Sequence, residues 1–388
     1  MATEALLIVH GGGPTAVINA SLYGAVSEAL AAPGVGRVLG ALGGVGGITD
    51  GRFVDFGQVS PSQLELLPHS PGSALGTSRK PLEADDYAEL AQALKAAHVR
   101  WLLPTGGNGT MDTCGKIWQA CQAAGIPLDV VGIPKTMDND IAVTDHAPGF
   151  ASAARYMAQS VAEVCCDVKG LPIHLVIVEA MGRNAGWVTA ASALADESGT
   201  GGPDLIYLPE RPFSEESFLA DAQRLIDEKG SGVVVVSEGL TTADGTPVAP
   251  PLMQVGRATY FGDVSAHLAR LVIERLGYKA RSEKPGLLGR TSMALQSPVD
   301  RAEAEAAGRE AVRAALAGNT GVMVGFERLS SSPYEMRLVH IPIEQVMLDE
   351  KALPDEFINS EGNGVTPAYQ EWLRPLLGAP ISPFASFA

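Results

Sequence analysis

Short apolar runs alternate along this chain with longer stretches in which apolar residues recur at helical spacing. The runs predict strands at about 5–10, 37–42, 100–105, 128–133, 173–179, 204–208, 232–237 and 321–326. Between most of them the helical period predicts helices at about 15–31, 84–97, 110–123, 149–166, 214–228, 262–277 and 301–317, several opening after Ser, Thr, Asp or Pro. The short apolar runs alternating with helical segments fit a mainly parallel sheet covered by helices on both faces. Glycine clusters follow three strands, at Gly11–Gly13, at Gly106 and Gly107, and at Gly182 and Gly186. Open α/β sheets bind ligands at such strand ends. The Gly-, Ser- and Pro-rich stretch at 43–78 reads as long loops near a site, and the proline-bearing tail from 351 as irregular. No internal repeat of fixed period is visible.

Length adds that the 388 residues suffice for two or three lobes. Charge changes the picture more. With 44 acidic against 28 basic residues the formal charge is -16, so nucleic acid and anionic membranes are excluded as partners. An anionic substrate must be held locally, by backbone amides, helix N-termini and a few placed Arg or Lys residues. The four cysteines, Cys114, Cys121, Cys165 and Cys166, form no CxxC pair and fit a reducing compartment. The N-terminal apolar run is too short for a signal segment, and no run reaches the ~18 apolar residues of a membrane span. The expectation is a soluble, cytoplasmic protein.

Gly11-Gly12-Gly13-Pro14-Thr15-Ala16 nominally fits the dinucleotide fingerprint. That site also wants an acidic residue ending the second strand, where this chain has Ala41-Leu42-Gly43-Gly44. Amides at a helix N-terminus cradling a phosphate, or a plain tight turn, remain. Thr105-Gly106-Gly107-Asn108-Gly109-Thr110 is a second strand-to-helix loop, in which glycines admit an oxygen-rich ligand and Thr110 can cap the helix. Gly115-Lys116 lacks the earlier glycine of a P-loop and is followed by Ile117, which excludes a Walker-type NTPase.

Pro134-Lys135-Thr136-Met137-Asp138-Asn139-Asp140 is the strongest motif. A lysine, a hydroxyl and two carboxylates in one loop can neutralise a transferring phosphoryl, donate to its oxygen, deprotonate an attacking hydroxyl and orient the base. The alternative is that Asp138 and Asp140 merely shape an Asx-type turn. In Glu179-Ala180-Met181-Gly182-Arg183 the glycine permits close approach and the arginine can clamp an anion or simply face solvent. Arg79, Lys80, Glu238, Arg281 and Arg290 are further candidates.

Read in order, GGGPTAVIN (11–19), GSALGTSRK (72–80), GGNGT (106–110), PKTMDND (134–140), EAMGR (179–183), SEG (237–239) and GLLGR (286–290) resemble the phosphofructokinase family. The resemblance implies an α/β fold of two Rossmann-like lobes with mainly parallel sheets and an active site in the cleft between them. The donor-binding lobe would take residues 1–149 and about 290–330, and the acceptor-binding lobe 150–289 and about 331–388. Asp138 would be the general base, with Asp140 supporting it, Thr136 contacting the moving phosphoryl and Lys135 beside it. Gly12, Gly13, Arg79, Lys80, Gly107, Asn108, Gly109 and Thr110 would hold the donor. Thr136, Asp138, Met181, Gly182, Arg183, Glu238 and Arg290 would grip the acceptor, and Arg281 matches an arginine that such proteins reach across a subunit interface. A homodimer or homotetramer follows, with Mg2+ as cofactor and Asn108 at the metal position.

The sequence departs from the family pattern in its donor signature, its metal position and its sugar-phosphate site. Gly109 with Lys135 mixes the signatures of ATP and pyrophosphate users, and Lys135 favours pyrophosphate. Asn108 replaces an aspartate, and a neutral amide oxygen is a weaker ligand for a hard cation. His174 and Leu287 replace an arginine and a histidine of the sugar-phosphate site, and losing one charge-assisted contact costs about 1.5–3 kcal/mol. The leading expectation is therefore a pyrophosphate- or ATP-dependent 6-phosphofructokinase acting on fructose 6-phosphate. The alternatives are the same chemistry on an unphosphorylated polyol such as an inositol, and a catalytically silent sugar-phosphate-binding regulator. A dinucleotide oxidoreductase or an NAD kinase has no use for the 134–140 motif.

Overall fold

The computed structural model describes residues 4–78, 82–171, 173–255, 258–347 and 350–387. Its strands, in chain order, are β1 (Ala5–His10), β2 (Arg37–Ala41), β3 (Phe53–Asp55), β4 (Val99–Gly106), β5 (Asp129–Pro134), β6 (Leu175–Ala180), β7 (Leu205–Tyr207), β8 (Gly232–Ser237), β9 (Pro251–Val255), β10 (Ala258–Phe261), β11 (Ala280–Glu283), β12 (Val322–Ser331) and β13 (Tyr334–Pro342). The chain divides into two compact units, Met1–Ser152 with Thr291–Lys351, and Ala153–Arg290 with Ala352–Ala388.

The first unit holds a seven-stranded sheet in the order β13-β12-β5-β4-β1-β2-β3. Its inner pairs are parallel, while β3 and β13 run antiparallel to their neighbours. Every residue of β1 is buried because the sheet is covered on both faces. Successive side chains point to opposite faces, so Ala5, Leu7 and Val9 enter one core and Leu6 and Ile8 the other. The neighbouring strands obey the same rule, with Leu102 and Val130 in the first core and Leu103 and Val131 in the second. Truncating such a residue, as in Leu7→Ala, costs about 2–5 kcal/mol.

The second unit holds a four-stranded parallel sheet in the order β11-β6-β8-β7 and a separate antiparallel pair, β9 and β10. Its core packs Leu175 and Ile177 of β6 and Val234 and Val236 of β8 against Phe218, Leu225 and Leu268. Those last three lie on the helices Glu215–Lys229 and Val264–Leu276, the first of which is capped by Ser214 accepting from Ser217 N at 3.2 Å. Among the described residues no helix is long and apolar enough to cross a membrane.

Three expectations are corrected here. The 43–78 stretch is more than loops, since it carries short helices at Val45–Thr49 and Pro61–Leu64 and buries Ile48, Phe56, Leu64 and Leu75. The tail is not irregular either. Pro367 opens the helix Pro367–Leu373, where a proline loses no bond, and Tyr369, Leu373, Leu376 and Leu377 are buried. Finally, residues 331–351 group with the first unit, not with 150–289, because β13 is hydrogen-bonded along β12.

Candidate active site

Because β1, β4 and β5 are adjacent and parallel, the loops leaving their carboxyl ends meet at one edge of the first sheet. Backbone bonds fasten them, Gly11 N to Thr105 O and Lys135 N to Gly106 O, both at 2.9 Å. The Lys135 side chain, only 4% exposed, turns back and donates from Nζ to the carbonyl of Gly13 at 2.6 Å. Its ammonium therefore stands in the glycine turn, 3.5 Å from where a Cβ on Gly12 would lie.

The rest of the Pro134–Asp140 loop is internally wired. Thr136 Oγ1 donates to Asp140 Oδ1 at 2.8 Å and accepts the Asp138 N–H at 3.1 Å. Asn108 Nδ2 donates to the Asp140 carbonyl at 3.2 Å and to its Oδ2 at 3.3 Å. Asn139 is fully buried at φ +53°, a left-handed conformation that asparagine tolerates, with Oδ1 accepting from Ala147 N at 3.1 Å. Thr136 N donates to Pro148 O at 3.1 Å. The loop thus rests on the segment Thr144–Gly149. A hydroxyl has a single proton, and that of Thr136 is committed to Asp140. Donation from Thr136 to a phosphoryl oxygen, as the motif suggests, requires that bond to be exchanged first.

Two further expectations change. Thr110 does not cap the helix Asn108–Ala123, which begins two residues earlier with Gly107 as its N-cap. Its side chain instead fills the space beside the bare backbones of Gly11 and Gly106, where an added Cβ at either glycine would strike it. The first helix starts at Ile18, not 15, so the glycine turn is separated from its N-terminus by Pro14–Val17. Gly109 is exposed with nothing within 4 Å of a Cβ built there. Arg79 and Lys80 lie outside the described residues.

Two side chains that no motif marks also reach this region. His10, 1% exposed at the end of β1, bonds through Nδ1 to Ser73 Oγ at 2.7 Å. Burial, with the Lys135 ammonium near it, pushes its pKa down to about 3, so the ring is neutral. Lys351 donates from its backbone N to Asp140 O at 2.8 Å, and burial pulls its ammonium down to about 8 against the opposing charges of Asp145 and Asp140. The only sequence signal for His10 was a polar residue closing an apolar strand, and Lys351 gave none.

For a divalent cation the donors are few. Among the described residues no cluster of three or more His, Cys, Asp or Glu side chains is arranged to hold one. Asn108 nevertheless presents Oδ1 as a buried oxygen without a hydrogen-bond partner, and the Asp140 carboxylate keeps spare lone pairs. That set fits Mg2+ if phosphate oxygens and water complete its coordination.

In the second unit the loops leaving β6 and β8 lie side by side. Gly182, at φ +122°, accepts at its carbonyl from Ser237 Oγ at 2.7 Å and donates its N–H to Glu238 Oε1 at 3.4 Å. Gly239 lies so close to Arg183 that a Cβ there would collide with the Arg183 carbonyl. Met181, Gly182, Arg183 and Glu238 are thus brought together, with the Arg183 residue exposed. Glu179 is 2% exposed and structural, bonded to Lys284 Nζ at 2.8 Å and to Ser265 N at 2.9 Å. Arg290 lies in the short helix Leu288–Thr291. Arg281 does not join the group. It is in register with Val176, five residues before Met181 or roughly 16 Å along the strand, and lines a cavity of about 480 Å³ with Leu171, Ile273 and Tyr278. His174 precedes β6, where Nδ1 accepts the Lys279 N–H at 3.1 Å.

Glycine turns and a carboxylate-bearing loop at the carboxyl ends of parallel strands form a ligand site of the kind open α/β sheets carry. The family model described as Phosphofructokinase matches residues 5–315. A protein of Xanthomonas campestris pv. campestris (strain B100) named pyrophosphate–fructose 6-phosphate 1-phosphotransferase is 39% identical over 386 residues, covering 96% of this chain and 91% of that protein. A protein of Alkalicoccus urumqiensis named sulfofructose kinase is 35% identical over 379 residues, covering 96% and 95%. The crystal structure of pyrophosphate-dependent phosphofructokinase from Nitrosospira multiformis superposes with a TM-score of 0.88 at 32% identity, covering 100% of this chain and 95% of that one. The chain belongs to the phosphofructokinase family and is an enzyme.

Proposed function

We propose that this enzyme transfers a phosphoryl group from pyrophosphate to fructose 6-phosphate, giving fructose 1,6-bisphosphate and orthophosphate. The observation that carries the reading is the bonded chain Asn108–Asp140–Thr136–Asp138 beside the Lys135 ammonium. Asp138 takes the proton from the acceptor hydroxyl, and that oxygen bonds to phosphorus as the bond to the leaving phosphate breaks. Asp140 holds Thr136, and Thr136 holds the Asp138 backbone. Gly12, Gly13, Gly107 and Lys135 receive the donor together with Arg79, Lys80, Asn108 and Gly109, while Thr110 shapes the floor of the site. Mg2+ held at Asn108 Oδ1 and Asp140 would neutralise phosphate charge when bound. Met181, Gly182, Arg183, Glu238 and Arg290 hold the acceptor. Arg281, set apart from them within the chain, is assigned to a neighbouring copy in a homo-oligomer.

Lys135 supports pyrophosphate because its charge fills the glycine turn, where a nucleotide would need room. The open space at Gly109 favours ATP as the second reading. The name of the Alkalicoccus relative adds a sulfonated fructose to the acceptors worth testing. The test crosses pyrophosphate and ATP with fructose 6-phosphate, sulfofructose and free inositol in the presence of Mg2+. The fastest bisphosphate formation is expected from pyrophosphate and fructose 6-phosphate. No turnover in any combination would leave the silent regulator standing.

A further inference from the structure

Lys351 closes the first unit, and three of its bonds run to one short segment. Its backbone N–H donates to Asp140 O at 2.8 Å, while its Nζ donates to Thr144 O at 2.8 Å and to Asp145 O at 2.9 Å. The preceding residue pairs with Ile141 in an isolated antiparallel bridge. One residue therefore grips both ends of the stretch Asp140–Asp145. The far end is anchored again, since the Asp145 carboxylate lies 3.0 Å from Arg328 and 2.8 Å from His146, whose Nε2 reaches Glu303 at 2.7 Å. Just beyond, Ala147 N and Pro148 O carry the bonds to Asn139 and Thr136. An ammonium has three donors on a flexible stem, and here two of them are spent on backbone carbonyls.

We propose that Lys351 is a positioning residue for phosphoryl transfer, clamping the turn Asp140–Asp145 so that Asp140, Thr136 and Asp138 keep their mutual geometry. It touches no reacting atom and acts through Asp140. The proposal rests on the reading of the Pro134–Asp140 loop given above, and the experiment separates the two.

Lys351→Met, Lys351→Gln, Lys351→Arg and Asp138→Asn are compared with the parent in the intact enzyme, with rates normalised to the folded fraction. Loss of the clamp is expected to lower kcat of the methionine variant about 100-fold, the scale of an ångström misplacement, with both KM values within about threefold. The glutamine variant falls less, since its amide still reaches a carbonyl. The arginine variant recovers about tenfold over methionine, because it keeps charge and donors. A merely structural lysine would lower stability and leave normalised kcat unchanged. A parental kcat in Lys351→Met, or a loss confined to KM, overturns the proposal. If neither neutral variant folds, the arginine variant decides, and an unchanged kcat there overturns it too. Should Asp138→Asn keep the parental rate, the loop reading itself fails. A dead Asp138→Asn beside a parental Lys351→Met sinks Lys351 alone.

Discussion

The Pro134–Asp140 loop and the Met181–Arg183 loop both leave the carboxyl end of a buried parallel strand, yet they are held in opposite ways. In the first, side chains fasten one another, with Thr136 and Asn108 on Asp140 and Asn139 on Ala147. In the second, neighbours fasten the backbone through Ser237 and Glu238, and Arg183 is exposed at the rim. A cross-linked loop fixes atoms to fractions of an ångström, which bond-making requires. A long cation on a fixed backbone adapts instead, which suits the capture of an anion. On the proposed reading the difference separates chemistry from grip, and substitutions should affect kcat in one loop and KM in the other.

The largest effect is expected at Asp138, the proposed base. Asp138→Asn should lower kcat by about 10²–10⁴-fold with acceptor KM and melting temperature little changed, in a steady-state assay paired with a thermal scan. A retained rate would move the base elsewhere. Arg183→Ala should instead raise acceptor KM about tenfold to a hundredfold, the equivalent of one lost charge-assisted bond at about 1.5–3 kcal/mol, with kcat nearly intact. A fall in kcat without a KM change would erase the contrast between the loops. Gly239→Ala sharpens it, because the new methyl meets the Arg183 carbonyl, a backbone atom that cannot swing aside. It should cost about 1–3 kcal/mol in denaturant unfolding and raise acceptor KM more than it lowers kcat.

The last effect appears only in acid. His10 has its pKa pushed down to about 3 in the fold, against about 6.5 when unfolded, so the unfolded chain binds the extra proton first. Its contribution is present above about pH 6.5 and is lost as pH falls toward 3, at about 1.4 kcal/mol per unit. His10→Gln keeps a partner for Ser73 but cannot titrate. Its stability curve should fall less steeply than the parent's below about pH 6.5, and parallel curves would show that the ring accepts a proton in place.

Much of the scaffold was legible because burial on both faces writes itself as an unbroken apolar run. β1 and β8 are such runs, and the ends of β1, β4 and β5 located the glycine turns and the Pro134–Asp140 loop. What stayed hidden carries little hydrophobic signal. β11 reads Ala-Arg-Ser-Glu at a sheet edge with three exposed residues, and β13 is only half-buried. The tail misled because proline reads as a breaker, whereas Pro367 sits where a helix starts. Within the site, residue types were readable but partners were not. Asn108 looked like a weakened metal ligand, and its bonds to Asp140 depend on two strands meeting. His10 and Lys351 act through contacts distant in sequence, so neither stood out.

The position of β12 also bears on how the chain is made. β12 lies against β5, and Thr320 accepts at Oγ1 from Val130 N across 190 residues of sequence. At 5–20 residues per second a ribosome takes roughly 10–40 s to cross that interval. Until then β5, with Val130, Val131 and Ile133 wholly apolar, stands as a bare margin that another nascent chain could pair with. A polypeptide ending near residue 290 would keep that margin open permanently, so premature termination there should yield insoluble material instead of a functional half.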